Sequence, residues 1–216
     1  SGNTYWYVDF GYMNWNLKDK NFMEYVRCVR DIPLSTKSFI TAGELHTCVL
    51  FSKGPIKCWG TGKYGRLGNA ADYNQSTPIF VSNISIATSV SALGQATCAI
   101  ISGGSIKCWG YGFYGAIGNG SYADQMTPVS VSSINNATSL GGGYNHVCAL
   151  ISGGSIKCWG KASYGQMGNG SNANDREFTP VSVSNISTAT AVSGGERFNC
   201  ALLSDGSVSC WGYGVF

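Results

Sequence analysis

Eight of the nine cysteines in this 216-residue chain fall into pairs ten positions apart: Cys48 and Cys58, Cys98 and Cys108, Cys148 and Cys158, Cys200 and Cys210. Paired thiols can close a disulfide or hold a soft metal ion. Zinc sites use two-residue cysteine spacings and accompanying histidines, and this chain offers neither, so no metal site is expected. Each pair sits in a recurring stretch. "CAIISGGSIKCWG" at 98–110 returns as "CALISGGSIKCWG" at 148–160, with looser copies at 48–60, "CVLFSKGPIKCWG", and at 200–212, "CALLSDGSVSCWG".

The elements that must carry these pairs follow from the glycine between them. A three-residue hairpin loop, a type I turn closed by a left-handed residue, places Gly54, Gly104, Gly154 and Gly206 at the left-handed position. In the fourth copy the loop is Ser204-Asp205-Gly206, Leu203 faces Ser207, and Cys200 falls opposite Cys210. Opposed β-carbons about 4.5–5.5 Å apart are close enough for a bridge. Four cross-strand disulfides are therefore expected, in an oxidising compartment. Cys28 remains unpaired.

The first cysteines recur at intervals of 50, 50 and 52 residues, a period that marks a propeller or a solenoid. Each period holds four β-like pieces: a small-residue run such as "TSVSALG", the two arms of the cysteine hairpin, and a "TPVSV"-type run whose proline suits an outer edge. That is the content of one propeller blade. "CAII" and "IKCW" are apolar on both faces, as in strands sandwiched between neighbours. Trp59, Trp109, Trp159 and Trp211 and the repeating Tyr64, Tyr114 and Tyr164 read as packing. The expected fold is all-β, a β-propeller of four-stranded blades spanning 38–87, 88–137, 138–189 and 190–216. Three blades are complete and the fourth is partial.

Composition narrows function. Charged residues are 12% of the chain and the net charge is +3, which gives nucleic acid no support as a partner. No run of 18 apolar residues exists to enter a membrane. Two histidines lie apart from any nucleophile or carboxylate pair, so neither enzymatic activity nor a cofactor is expected. The Asn-x-Ser/Thr triplets at Asn74, Asn83, Asn119, Asn136, Asn169 and Asn185 recur with the repeat, and turn chemistry accounts for most of them.

The pattern "GGYNHVCALISGGSIKCWGKASYGQMGNGS…TPVSV" resembles the regulator-of-chromosome-condensation repeat in its bacterial, cysteine-bearing extracellular form, over about residues 38–216. The resemblance implies a β-propeller, and a relative that is a secreted bacterial β-lactamase inhibitor implies that the disc can bind proteins. The nuclear role of the eukaryotic founder does not carry over to a disulfide-bearing chain of weak charge. Residues 1–31, with "YWYVDFGYMNWNLKDKNFMEYVRCVR", resemble the final strands of an Lcl-type C-terminal domain, related to C-type lectins, and read as a β-hairpin remnant. In that family the partner of Cys28 would lie upstream. The chain opens at Ser1 and stops after a third strand, so it reads as a window on a longer polypeptide. The alternative is self-assembly through open blade edges into a homo-oligomer or filament.

Loops after strands one and three share one face of a propeller, and these differ from copy to copy. The candidate binding residues there are Glu44, His46, Lys63, Arg66, Tyr73, Tyr111, Phe113, Tyr122, Tyr144, His146, Arg176, Arg197 and Phe198. For His46 and His146 a structural hydrogen-bonding role is favoured. Aromatics with arginine fit a protein or glycan ligand. The functional expectation is a secreted or cell-surface adhesion or recognition module. The alternatives are a structural subunit of an extracellular fibre or surface layer, and a secreted inhibitor of an extracellular enzyme.

Overall fold

Among the described residues, short apolar runs punctuated by glycine turns build fifteen antiparallel strands in four successive sheets. The computed structural model describes residues 39–52, 54–171 and 175–214. The expected remnant at 1–31 and Cys28 lie outside the described residues. The first blade comprises β1 (Phe39–Ala42), β2 (His46–Leu50), β3 (Ile56–Gly60) and β4 (Gln75–Phe80). The second comprises β5 (Ala87–Ala92), β6 (Ala96–Ile101), β7 (Ile106–Gly110) and β8 (Gln125–Ser130). The third comprises β9 (Ala137–Gly142), β10 (His146–Ile151), β11 (Ile156–Lys161) and β12 (Arg176–Ser182). The fourth has β13 (Ala189–Gly194), β14 (Phe198–Leu203) and β15 (Val208–Gly212). In every sheet the strands pair in chain order.

The cysteine hairpins have the expected register. Cys48 stands opposite Cys58, Cys98 opposite Cys108, Cys148 opposite Cys158 and Cys200 opposite Cys210. All four pairs are bonded, with Cα atoms 4.1 Å apart. That separation suits a directly opposed, non-hydrogen-bonded pair. Gly54, Gly104, Gly154 and Gly206 have φ between +81° and +97°. Gly104 is also held by space: a Cβ there would lie 2.8 Å from Asn136 Cα. Its carbonyl accepts from Ala137 N–H at 2.9 Å, tying the hairpin tip to the next blade's first strand. One detail corrects the type I expectation. In the Gly-Gly copies Gly103 (φ +94°) and Gly153 (φ +95°) are left-handed too, because neither carries a Cβ to oppose it.

The fourth strands begin before their Thr-Pro signal, at Gln75, Gln125 and Arg176. The ladder shifts register beside Trp59, Trp109 and Trp159, so the glycine after each tryptophan pairs with a polar residue upstream of the Thr-Pro. Polar residues are tolerated there because β4, β8 and β12 are half-solvated edges.

The core is three apolar clusters, one in each seam between consecutive blades. In the first seam the sulfurs of Cys48 and Cys58 pack with Leu67, Val90, Ala99 and Trp109 of the first two blades. Strand β10, with blades on both sides, is buried at all six positions. This is why the cysteine strands are apolar on both faces. Phe39 and Ile40 in the first blade and Leu202 and Val208 in the fourth remain exposed.

Candidate functional site

The loops after the first strand of each blade are tied in series. Glu44 N–H donates to Gly94 O, Gly94 N–H to Gly143 O, and Tyr144 N–H to Glu196 O, at 3.2 to 3.3 Å. The loops after the third strand share the Tyr-Gly-x-x-Gly course. In the second blade Gly115 N–H donates to Gly112 O and Gly118 N–H to Gly115 O. This tight winding sets Tyr64, Tyr114 and Tyr164 at matching places on the same face.

Their rings join an arc of aromatics and cations. Tyr64 lies 4.5 Å from Tyr111 between ring centroids, and Tyr111 lies 5.9 Å from Tyr114 and 6.1 Å from Phe113. The Arg176 guanidinium sits 4.2 Å over the Phe113 ring. Lys161 Nζ is 5.0 Å from the Tyr114 ring and 5.6 Å from the Tyr164 ring. Arg197 continues the series over Tyr164, at 5.2 Å, and Tyr213, at 5.8 Å. Cation–π contact holds long, rotamer-rich side chains in place, and so fixes where their N–H groups point.

Within the arc, between the third and fourth blades, lies a cleft of ≈ 150 Å³. Its walls are Tyr114, Tyr144, Lys161, Glu196 and Arg197, and His146, Asn145 and Gln166 form the buried floor. Arg197 Nε donates to Glu196 Oε1 at 3.1 Å.

Beneath the face, each seam has a repeated junction. The indole N–H groups of Trp109, Trp159 and Trp211 donate, each at 2.9 Å, to the carbonyls of Arg66, Ala116 and Gln166 in the preceding blade. In the first seam Thr97 Oγ1 also donates to Arg66 O and lies 2.7 Å from His46 Nε2. In the third seam Asn199 Nδ2 donates to Gln166 O, and Asn199 Oδ1 lies 2.9 Å from His146 Nε2. In the middle seam the corresponding residues are Ala96 and Val147, both buried with Ala116 and Trp159 in one apolar cluster. Burial, with Arg66 adding repulsion, lowers the pKa of His46 to about 3. Burial lowers that of His146 to about 4 against the opposing hydrogen bond with Asn199. Both rings are neutral at pH 7, and Nε2–H donates to Asn199 Oδ1.

The sequence-derived candidates separate accordingly. Glu44, Lys63, Tyr73, Phe113, Tyr122, Arg197 and Phe198 are exposed, and Tyr111, Tyr144 and Arg176 are half-buried. His46, Arg66 and His146 are buried, so none of them presents its side chain on an open face. Arg66 is only 2% exposed because the Tyr-Gly-x-x-Gly turn directs it into the seam. Its Nη1 lies 3.9 Å from Glu44 Oε2, and burial works against its charge while Glu44 supports it. Arg176, Phe198 and both histidines lie on strands rather than in loops. Tyr73 and Tyr122 project at 63% and 70% exposure, away from the arc's ring contacts.

Sequence reasoning omitted Lys161, Glu196 and Tyr213, and read Tyr164 as packing alone. The place after Cys-Trp-Gly reads Thr61, Tyr111, Lys161 and Tyr213, so its variability was a usable signal. Turn chemistry governs several asparagine triplets: Asn83 and Asn185 have φ of +55° and +58°, and Asn119 Oδ1 accepts from Ser121 N–H. Among the described residues no group of three or more His, Cys, Asp or Glu is placed to hold a metal.

Two family models, both described as the regulator of chromosome condensation (RCC1) repeat, match residues 104–150 with 154–202, and 137–166 with 189–216. Together they take in residues 104–216, more than half of the chain. The chain belongs to the RCC1 repeat family. Among curated proteins no sequence matches it. Several solved structures share its fold. Yeast RCC1 (Prp20), solved with Kap60 bound, superposes with a TM-score of 0.71 at 17% identity, covering 81% of this chain and 43% of that one. Human WBSCR16 gives 0.73 at 19% identity, covering 85% and 50%. The ectodomain of the Physcomitrella patens receptor kinase CR4 gives 0.54 at 21% identity, covering 89% and 45%. The RCC1-repeat chain thus spans about half the length of the structures it matches.

Proposed function

We propose that this RCC1-repeat propeller is a secreted or cell-surface module that binds a macromolecule through the face carrying the aromatic–cation arc, in adhesion or recognition. The observation that carries the reading is the contrast between the two faces. The hairpin turns on one face are near copies of each other. The loops on the other vary, and on that face Lys161, Arg176 and Arg197 lie over aromatic rings. Aromatics with arginine are what binding hot spots are made of, and a rigid scaffold holds them at low entropic cost. Four disulfides favour an oxidising compartment, and no described helix is long and apolar enough to cross a membrane. Yeast Prp20 binds Gsp1p and histones, so a disc of this fold can serve as a protein platform. The action is binding, not catalysis. An extracellular enzyme held in an inhibited state is one partner this reading includes.

The test compares variants on the two faces. Phe113→Ala with Tyr122→Ala changes the variable face, and Ser102→Lys with Ser152→Lys changes the opposite hairpin turns. Adhesion to cells and capture from the surrounding medium should fall at least tenfold for the first pair and persist for the second. The reverse pattern would overturn the assignment.

A second reading is favoured by the exposed apolar side chains at both ends of the blade series, Phe39 and Ile40 at one and Leu202 and Val208 at the other. They suit a fibre or surface-layer subunit that stacks through its blades. Light scattering and negative-stain microscopy separate the two: discrete particles fit the binder, ordered polymers the fibre.

A further inference from the structure

The cleft between the third and fourth blades is short of negative charge. Lys161 and Arg176 stand directly opposite each other across the β11–β12 ladder, an arrangement that repels. Both pack on Tyr114, at 5.0 and 5.7 Å. Beside them, Arg197 is paired with Glu196, and Arg66 of the first seam with Glu44. Lys161 and Arg197 bring two cations to a cleft lining that holds one acid, Glu196.

In the first seam an acid stands beside a buried arginine. There the chain's own Glu44 lies beside Arg66 and accepts a hydrogen bond from the Tyr144 hydroxyl at 3.1 Å. The residue of the third blade that corresponds to Glu44 is Tyr144 itself, whose hydroxyl is turned back toward Glu44 and Gln95. The third seam consequently has no carboxylate of that origin, and the cleft stays open.

We propose that this cleft receives a carboxylate side chain from an acidic loop of a protein partner, held by Lys161 and Arg197. The proposal rests on the loop face being the binding face. The size of the cleft, ≈ 150 Å³, is below that of a pocket for a free small molecule and suits one inserted anchor. The Tyr114 and Tyr164 ring faces are already covered by cations, so they offer little area for stacking sugar rings, and a peptide carboxylate is the better match. Charge-assisted hydrogen bonds from two pre-positioned donors then supply the attraction.

The experiment titrates the oxidised full chain with an acetylated, amidated hexaglutamate peptide, with hexaglutamine and trigalacturonate alongside, following the amide and aromatic resonances of the protein. Hexaglutamate should shift Tyr114, Tyr144 and Lys161. Its affinity should fall at least tenfold in Lys161→Gln/Arg197→Gln and less than twofold in the charge-matched Lys107→Gln/Lys157→Gln. Thermal midpoints of both variants report that they are folded, and Lys161→Arg should restore binding to the Lys161→Gln single variant. Equal loss in the two double variants, binding of hexaglutamine, or tighter binding of trigalacturonate would each overturn the proposal. If the macromolecule captured in the face-swap test above is retained by Lys161→Gln/Arg197→Gln, this cleft is excluded while the assignment of the face stands.

Discussion

His46 Nε2 lies 2.7 Å from Thr97 Oγ1 across the first seam, while Ala96 and Val147, at the same repeat places, share an apolar cluster in the second. Polar meets polar or apolar meets apolar; the third residue of the junction follows suit, as Arg66, Ala116 and Gln166. The chain thus contains its own control for the His46–Thr97 pair.

A double-mutant cycle should show this coupling. His46→Ala alone leaves the buried Thr97 hydroxyl with one partner fewer, and Thr97→Val alone strands a buried imidazole. Each should cost about 1–3 kcal/mol. The double variant copies the Ala96–Val147 seam and should cost less than the sum by roughly 0.5–3 kcal/mol. Urea unfolding midpoints with unchanged slopes would check it.

Stability should fall in mild acid. His46 and His146 have folded pKa values of about 3 and about 4, below the ordinary imidazole value of 6.5. Between those limits the unfolded chain binds more protons than the folded one. Their contribution is therefore complete above pH 6.5 and is lost as pH falls toward the folded values. Each buried ring should cost about 1.4 kcal/mol per pH unit within that window. Urea midpoints at pH 7 and pH 5 should differ in the native chain, and less so in His46→Ala/Thr97→Val.

The four bridges should not open together. Six of the eight bonded cysteines are fully buried in seams, whereas Cys200 is only partly buried and Cys210 is exposed. Limited reduction followed by alkylation and peptide mass analysis should label Cys200 and Cys210 first. Uniform labelling of all eight would contradict the packing.

Gly118 should resist any side chain. Its φ is +73°, and a Cβ would stand 2.7 Å from Trp159 Nε1. Gly118→Ala must either strain the turn or move the indole off the Ala116 carbonyl, at about 2 kcal/mol or more. Gly103→Ala, with nothing within 4 Å of its Cβ, meets only backbone strain and should cost less. Thermal midpoints of the two variants would rank them.

Much of this was legible in sequence. Regular cysteine spacing and the glycine that closes each hairpin loop determine register, and register determines the bridges. Packing across seams was less legible. The cysteines, Trp109 and Trp159 read correctly as buried because apolar residues have few other uses. Arg66 did not, because a charged residue in a glycine-rich loop is ordinarily solvated; only the turn's course sends it inward. Lys161 and Tyr164 join the arc by contacts between blades, with Tyr114 and Arg197, and no single repeat contains such contacts.

Near-identical neighbours such as 98–110 and 148–160 invite a nascent chain to dock one blade out of turn. The seam residues penalise that error. Omitting the second blade would set His46 Nε2 against the aliphatic Val147 in place of the Thr97 hydroxyl. Blades that look alike from outside thus differ at the contacts they make with their neighbours.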